Sequence, residues 1–144
     1  MFQRHSIQNG RIMFITTNIQ KRVPIFSDPA AARVAIDTLY EKQEIYPFYI
    51  FGFVIMPDHC HFLLLVPEGG SISKLMYSYK RGVSFTLNRR AIWQSRFHVV
   101  LPQDPSSALK YIHQNPVRAD LCKYPQEYPW SSASGKWDIE YLDW

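Results

Sequence analysis

The sequence is poor in cysteine and has no long apolar run. Cys60 and Cys122 are the only cysteines in 144 residues, which is too few for a disulfide framework, so we expect a reducing, cytoplasmic setting. The longest apolar stretch, residues 46–56, has about half the roughly 20 residues that span a bilayer, so we expect no membrane partner. Arg4 and His5 are followed by polar residues, without the apolar stretch of a signal peptide.

Acidic residues are missing from two long segments, although the net charge is only +4. Residues 69–103 contain six Lys or Arg and no acid, and residues 1–27 contain four and no acid. Acids are concentrated in residues 28–44 and from residue 138 onward. This segregation favours one positive face, which is the usual footprint of a phosphate backbone. Ordinary solvated cations on helices would give the same composition.

Seven residues in or beside the acid-free segments are candidate contacts to nucleic acid: Arg11, Lys74, Arg81, Arg89, Arg90, Trp93 and Arg96. Residues 93–97 join two aromatic side chains to a cation and an amide, a combination that holds single-stranded nucleic acid by stacking and charge. The same segment fits equally well the start of a strand with a buried Trp and Phe.

The spacing of apolar residues predicts four strands and three helices. The strands are expected at residues 12–19, 48–56, 59–66 and 97–101, with the continuously apolar second strand in a central position. The helices are expected at residues 28–44, at 71–88 and from residue 104 to just before Pro116, which disfavours helical geometry at the preceding residue. This order predicts an α+β domain with a ferredoxin-like or RRM-like antiparallel sheet. We expect one domain over residues 1–144, loop-rich from about residue 117.

Two histidines on the third predicted strand are the most informative feature. His59 and His61 stand two positions apart, so their side chains share one face of the strand. Cys60 shares the opposite, apolar face with Phe62 and Leu64, and is therefore not expected to bind with the histidines. Two imidazoles that converge on one sheet face form half of a metal site. Structural histidines with satisfied hydrogen bonds would fit the motif as well.

Tyr111 and Asn115 lie four positions apart, on one face of the third predicted helix. The Asn115 amide oxygen is a candidate third metal ligand, and the two imidazoles favour a transition metal such as Mn²⁺ over Mg²⁺. Tyr111 is the candidate nucleophile for a metal-assisted phosphoryl transfer. The alternatives are an ordinary core or surface tyrosine and an asparagine at a helix C-terminus. Asp58 and His113 are candidates for supporting contacts.

Four sequence blocks together resemble a known family. They are residues 56–64 (MPDHCHFLL), 93–98 (WQSRFH), 111–119 (YIHQNPVRA) and 128–132 (YPWSS). In this order they closely resemble the single-tyrosine HUH transposases of small insertion sequences, and the last two blocks look most like the REP-associated tyrosine transposases. The resemblance covers roughly residues 12–133, and Cys60 occupies a position that is usually aliphatic in the family.

The resemblance implies a specific chemistry. His59 and His61 would bind a divalent ion, Mg²⁺ or Mn²⁺, on an inner strand of the sheet, and Asn115 would complete the metal site. Tyr111 would attack single-stranded DNA, leaving a 5′-phosphotyrosine link and a free 3′-OH, and a 3′-OH could later attack that link and be joined. Hairpin-containing DNA and a homodimer are the implied partners. Two alternatives are a relative that binds nucleic-acid hairpins without cutting them and a structural metal-binding domain unrelated to DNA.

Overall fold

The computed structural model describes residues 10–142, and Arg4 and His5 therefore lie outside the described residues. Four strands form one antiparallel sheet: β1 (Ile12–Ile19), β2 (Tyr49–Met56), β3 (His59–Leu65) and β4 (Trp93–Val100). Three helices accompany it: α1 (Pro29–Lys42), α2 (Ile72–Leu87) and α3 (Pro105–Arg118). The strand order is β2-β3-β1-β4, so β1 and β3 are the inner strands. The ferredoxin-like α+β prediction, with the histidines on an inner strand, is confirmed.

The two faces of the sheet are covered differently. On one face, α1 and α2 bury alternate residues of β1, such as Met13 and Ile15, together with Phe62 of β3. On the other face, α3 packs against β2 and β3 through Ala108 and Ile112. Toward β4 this second face is more open: α3 reaches β1 through the contact of Tyr111 with Phe14, and β4 exposes Arg96, His98 and Val100 there. We call this exposed β4 side of the face the open shelf.

Each helix begins where its sequence provides a capping residue. The side chains of Asp28, Ser71 and Asp104 accept hydrogen bonds from backbone N–H groups in the first turns of α1, α2 and α3. Proline follows both aspartates at the first helical position, where its missing N–H costs nothing. These starts agree with the sequence prediction. Among the described residues, no helix is long and apolar enough to cross a membrane.

The structure corrects two predicted boundaries. Helix α3 does not end before Pro116 but runs through it to Arg118. Pro116 has no backbone N–H and so loses one helical hydrogen bond, but its fixed φ suits a helix and its ring is buried. After it, Ala119 N–H donates to Asn115 O at 3.1 Å, an i to i−4 bond of the helical pattern. Strand β4 begins at Trp93 rather than residue 97, because a register shift between Thr17 and Ile19 lets Ile19 pair with Trp93.

Strand β2 lies at the edge of the sheet, so the predicted central position was wrong. The C-terminal segment runs along its free edge: Ile55 N–H donates to Trp130 O at 2.8 Å, and Glu140 N–H donates to Ile50 O at 2.8 Å. The Tyr128 hydroxyl also donates to Ile55 O at 2.7 Å. With helices on both faces and the tail along its edge, β2 is almost as enclosed as an inner strand, which explains its apolar sequence.

Candidate functional site

The two histidines lie side by side on β3, on the sheet face that α3 partly covers. Their ring centroids are 4.7 Å apart, and His61 is only 7% exposed. Cys60 is buried on the opposite face among the residues under α1 and α2. The alternation predicted from the sequence is therefore confirmed: the imidazoles share one side, and the thiol points away from them.

The δ nitrogen of each imidazole is already engaged within the protein. His59 Nδ1 lies 2.7 Å from Asp58 Oδ1, and His61 Nδ1 lies 2.9 Å from Thr16 Oγ1 on the neighbouring strand β1. When Nδ1 carries the proton and donates these bonds, Nε2 of each ring keeps a free lone pair. This is how metal-binding histidines are usually held, since the second contact fixes both ring orientation and tautomer.

Arg22 braces the Asp58–His59 contact from the segment that follows β1. Its Nε lies 3.0 Å from Asp58 Oδ2. Burial alone raises the pKa of Asp58, but the hydrogen bonds from His59 and Arg22 outweigh it and leave the pKa below its usual value. Lys21 and Arg22 both have φ near +55°, in the left-handed region that non-glycine residues rarely occupy. Apart from its place in an acid-free segment, no sequence pattern singles out Arg22.

Tyr111 projects from α3 onto the histidine pair. Its ring centroid is 5.8 Å from that of His61 and 5.8 Å from that of Phe14, and the Phe14 and His61 rings are 5.1 Å apart. Tyr111 remains 46% exposed, so the phenol can be reached from solvent. The structure therefore brings together the two features that the sequence kept fifty residues apart, the histidine pair and the tyrosine.

Arg118 was not singled out from the sequence, although it belongs to one of the four motif blocks. Its guanidinium carbon lies 4.3 Å from the centre of the Tyr111 ring, and its Nη2 donates to Tyr111 O at 3.2 Å. The available signal was spacing, because position i+7 on a helix returns to the face of position i two turns later. A cation thus stands beside the phenol, on the same helix.

Asn115 lies within α3, one turn after Tyr111, and is half-buried. Its side-chain amide makes no hydrogen bond within the part of the chain that the structure describes, so its oxygen is available to a ligand. His113 points elsewhere: its Nε2 lies 2.7 Å from Ser132 Oγ, which also accepts from Phe53 N–H at 3.0 Å. His113 therefore ties α3 to the C-terminal segment and is not part of the histidine pair.

The donor set suits a divalent ion with open coordination positions. Across residues 10–142, no cluster of three or more His, Cys, Asp or Glu is placed to hold a metal, so a third ligand from these residues would be of another type, and the Asn115 amide oxygen is the candidate from the sequence. Burial lowers the pKa of His61 to about 3, helped by the positive charges of His59, Arg118 and Arg22. His61 is therefore neutral at physiological pH, which is the form that binds metals.

The seven candidate nucleic-acid contacts do not form one face. Arg96 is exposed on β4 in the open shelf, whereas Lys74 and Arg81 lie on α2, and Arg89 and Arg90 lie in the loop after it. Arg11 precedes β1 and lies at the end of the sheet away from the histidines, because Ile12 pairs with Leu65 while Asn18 pairs with His59. The single positive face expected from the charge segregation is thus divided: Arg11 lies at one end of the sheet, and the loop with Arg89 and Arg90, which leads into Trp93, lies at the other.

Trp93 is built into the fold. Its Nε1–H donates to Lys80 O at 3.0 Å, and its ring centroid lies 5.8 Å from that of Phe26 and 6.1 Å from that of Tyr79. The sequence of residues 93–97 fitted either a nucleic-acid contact or the start of a strand with a buried tryptophan, and the observed geometry is that of the strand start. Its ring is not an open platform for a base.

Comparison with known proteins gives one consistent family. Residues 8–115 match the family model described as IS200-like transposases. The chain is 31% identical over 148 residues to a Haemophilus influenzae protein named as a REP-associated tyrosine transposase, covering 90% of this chain and 83% of that protein. It is 26% identical over 135 residues to the REP-associated tyrosine transposase of Escherichia coli K12, covering 91% and 81%.

Solved structures agree on the fold. A REP-associated tyrosine transposase bound to a REP hairpin superposes with a TM-score of 0.80 at 23% identity, covering 100% of this chain and 94% of that one. A protein of Deinococcus radiodurans described as a transposase superposes with a TM-score of 0.57 at 14% identity, covering 75% and 88%. At these identities the superpositions establish a shared fold.

Proposed function

The chain belongs to the IS200-like transposase family, and on that premise we propose that it cuts and rejoins single-stranded DNA. In this proposal Tyr111 is the nucleophile, and His59, His61 and Asn115 hold a divalent ion, Mg²⁺ or Mn²⁺. The observation that carries it is the packing of the Tyr111 ring 5.8 Å from that of His61, beside two imidazoles whose δ nitrogens are already bonded.

The chemistry needs one covalent step in each direction. Tyr111 Oη loses its proton and attacks a backbone phosphorus, the bond from phosphorus to the 3′ oxygen breaks, and that oxygen takes up a proton as a free 3′-OH. The product is DNA joined through its 5′ phosphate to the tyrosine. Attack by a 3′-OH on the phosphotyrosine reverses the exchange and joins two strands, so no external energy source is needed. When bound, the divalent ion supplies charge stabilisation for the phosphate oxygens.

The remaining contacts organise this reaction. Arg118 places a positive charge beside the phenol, where it attracts the DNA phosphate to the nucleophile. Asp58 and Thr16 fix the two imidazole rings, and Arg22 holds Asp58. Phe14 packs against both Tyr111 and His61 and keeps the nucleophile close to the histidines. Because these contacts already hold the reacting groups in place, little reorganisation is needed when the reaction occurs.

We propose hairpin-containing single-stranded DNA as the substrate. Two observations support it. A solved neighbour with the same fold is a transposase bound to a REP hairpin, and in this chain the open shelf exposes Arg96, His98 and Val100 of β4 beside α3. An unpaired strand that leaves a hairpin could lie across this shelf and reach Tyr111, whereas a continuous duplex would hide its bases from the sheet.

The test is metal-dependent nicking of oligonucleotides that tile the DNA on both sides of the gene, in single-stranded and duplex form. Single-stranded, hairpin-containing oligonucleotides should be cut with Mn²⁺ or Mg²⁺ and left intact with EDTA. His59→Ala and His61→Ala should lose cleavage and remain folded by circular dichroism, and the surface variant Lys136→Ala should cut like the parent. Tight, salt-sensitive binding with no cleavage under any metal would instead identify a hairpin-binding protein that does not cut.

A further inference from the structure

A cleft of about 750 Å³ lies away from the histidine pair, between the C-terminal half of α2 and the chain entering β4. Its walls include Arg81 and Phe85 from the helix and Arg89 and Arg90 from the loop. Among the described residues that line it, none is acidic. The proposed chemistry at Tyr111 makes no use of this cleft.

An exposed aromatic ring stands on the wall of the cleft. Phe85 is 87% exposed, although burial of a phenylalanine side chain is favourable. One helical turn earlier, Arg81 lies 5.6 Å over the Tyr77 ring, and Tyr77 is itself 59% exposed. Tyr77, Arg81 and Phe85 therefore form a stripe of ring, cation and ring at a spacing of four along α2.

The loop after α2 presents two more cations at the mouth of the cleft. Arg89 and Arg90 are exposed and form no ion pair among residues 10–142. Asn88 and Ala91 on either side both have positive φ, 54° and 53°, so the loop is bent twice within four residues. Positive φ at a non-glycine residue costs conformational energy. The two bends set the direction in which the Arg89 and Arg90 side chains leave the backbone.

Lys80 and Trp93 also line the cleft, and hydrogen bonds hold both in place. Lys80 Nζ donates to Gln94 O at 2.9 Å and to Arg96 O at 3.3 Å, and Trp93 Nε1–H donates to Lys80 O. These bonds attach α2 to β4. The tryptophan is thus bonded into the fold, and Phe85 and Tyr77 are the exposed rings of the cleft, with Phe85 the more exposed.

The cleft lies at the same end of the sheet as the histidine pair, on the side of β4 that α2 covers. At the same end of the sheet, Asn18 of β1 pairs with His59, and the next residue, Ile19, pairs with Trp93. Strands β3 and β4 flank β1, so they are separated by roughly 10 Å, twice the usual strand spacing. Along β4, Arg96 of the open shelf directly follows residues that line the cleft. A flexible strand could pass around the β4 edge from one to the other.

We propose that this cleft is a second DNA-binding site, which takes unpaired nucleotides by stacking a base on Phe85 and holding the adjacent phosphates with Arg89 and Arg90. The absence of acids favours a polyanion, and an exposed ring beside cations favours unpaired bases over a duplex, whose bases are already stacked. The inference rests on the proposed function in one respect: the nucleotides belong to the strand that Tyr111 cuts.

The test is binding of fluorescein-labelled dT15 by fluorescence anisotropy in EDTA, which removes the metal and the cleavage step. Phe85→Ala should weaken binding about tenfold, and Phe85→Trp should retain it, because stacking needs a ring. The double variant Arg89→Ala, Arg90→Ala should flatten the plot of log affinity against log salt by about 1.4, the value for two phosphate contacts on a single strand. A 15-bp duplex should respond much less to the Phe85 substitution.

Matched controls lie on the far side of the molecule. Tyr49→Ala removes a ring that is 49% exposed at the β2 edge, and Arg33→Ala with Lys136→Ala removes two exposed cations. Equal losses in these controls, or unchanged dT15 binding by the Phe85 variant, would overturn the proposal. Oligonucleotides carrying 5-iodouracil provide a second measurement: crosslinking to Phe85 or Tyr77 supports the cleft, and crosslinks found only elsewhere contradict it.

The two proposals fail separately. Phe85-dependent binding without any metal-dependent cut would leave the cleft standing and overturn the nuclease. Normal cleavage with binding and crosslinking indifferent to Phe85 would leave the nuclease standing and overturn the cleft. Circular dichroism of every variant excludes unfolding as the cause, and Phe85 is exposed enough that its replacement should not affect the core.

Discussion

The Arg118 guanidinium lies over the Tyr111 ring, 4.3 Å from its centre, and donates to the carbonyl oxygen of the same residue at 3.2 Å. Both residues belong to α3, two turns apart, so the contact is held by the helix itself. Because Arg118 also lies close enough to His61 to lower the pKa of that imidazole, one cation serves both the tyrosine and the histidine pair. Arg118, Tyr111 and His61 therefore lie together at the centre of the proposed site.

The first prediction concerns this arginine. Arg118→Ala should slow formation of the covalent DNA adduct by roughly 10- to 100-fold, since a hydrogen bond to a charged group is worth about 1.5–3 kcal/mol. Arg118→Lys keeps the charge but loses the planar contact with the ring, so its rate of adduct formation should lie between those of the parent and Arg118→Ala. Single-turnover rates at saturating DNA measure the effect. An unchanged rate in Arg118→Ala would show that Arg118 only packs against the ring.

The second prediction concerns the carboxylate behind His59. Asp58→Asn should weaken Mn²⁺ binding about 10- to 100-fold, because the charged acceptor that fixes the His59 ring becomes a neutral amide that can also turn its NH₂ group toward the ring. Asp37→Asn, on the outer side of α1, is the matched control and should bind the metal like the parent. Isothermal titration with Mn²⁺ in the absence of DNA gives both affinities. Equal affinity in the two variants would remove Asp58 from the metal site.

The third prediction concerns the fit of α3 on the sheet. A methyl group at Gly52 of β2 would overlap Leu109 Cδ1 of α3, so the leucine must change its rotamer, and Gly52→Ala should lose about 1 kcal/mol of unfolding free energy. Adding Leu109→Ala should recover part of that loss, and chemical denaturation of the four proteins in a double-mutant cycle measures the coupling. Additive losses would mean that the helix does not depend on this close approach.

The fourth prediction concerns pH. Burial lowers the pKa of His61 to about 3 and lowers the pKa of His113 as well. In the unfolded chain both take up a proton near pH 6.5, so the stability they contribute is complete above that value and is lost as the pH falls toward about 3. Stability in EDTA should drop by about 2 kcal/mol or more between pH 7 and 4.5. His61→Gln should flatten this dependence; an equally steep curve would contradict a buried neutral His61.

Much of this fold was accessible from the sequence because local signals were strong. The alternation on β3 placed the histidines together and Cys60 behind them, and capping residues located the helix starts. The edge position of β2 was not accessible, since its apolar sequence reflects a tail that returns from residues 128–140 to cover it. Pro116 misled for a similar reason: burial of its ring in the tertiary structure overrides the local preference for ending a helix.

The residues at the centre of the candidate site were predictable from the sequence, but the residues that hold them in place were not. Tyr111 and the histidines carried recognisable spacings, and the family resemblance linked them. Thr16, Phe14 and Arg22 reach the site only through strand pairing and a left-handed turn, which no local pattern announces. Trp93 and Phe85 show the same limit: both are aromatic residues among cations, and only the tertiary structure shows that one is bonded inward and the other is open.

The most direct test of the proposed function is covalent capture. The protein and its Tyr111→Phe variant would be incubated with Mn²⁺ and the hairpin-containing single strands, and intact mass measured after denaturation. We predict a DNA adduct that maps to Tyr111, carries a 5′ phosphate link, and is absent from the variant, which still binds the DNA. An adduct of the same yield in Tyr111→Phe, or cleavage at full rate without Tyr111, would contradict the assignment of the nucleophile.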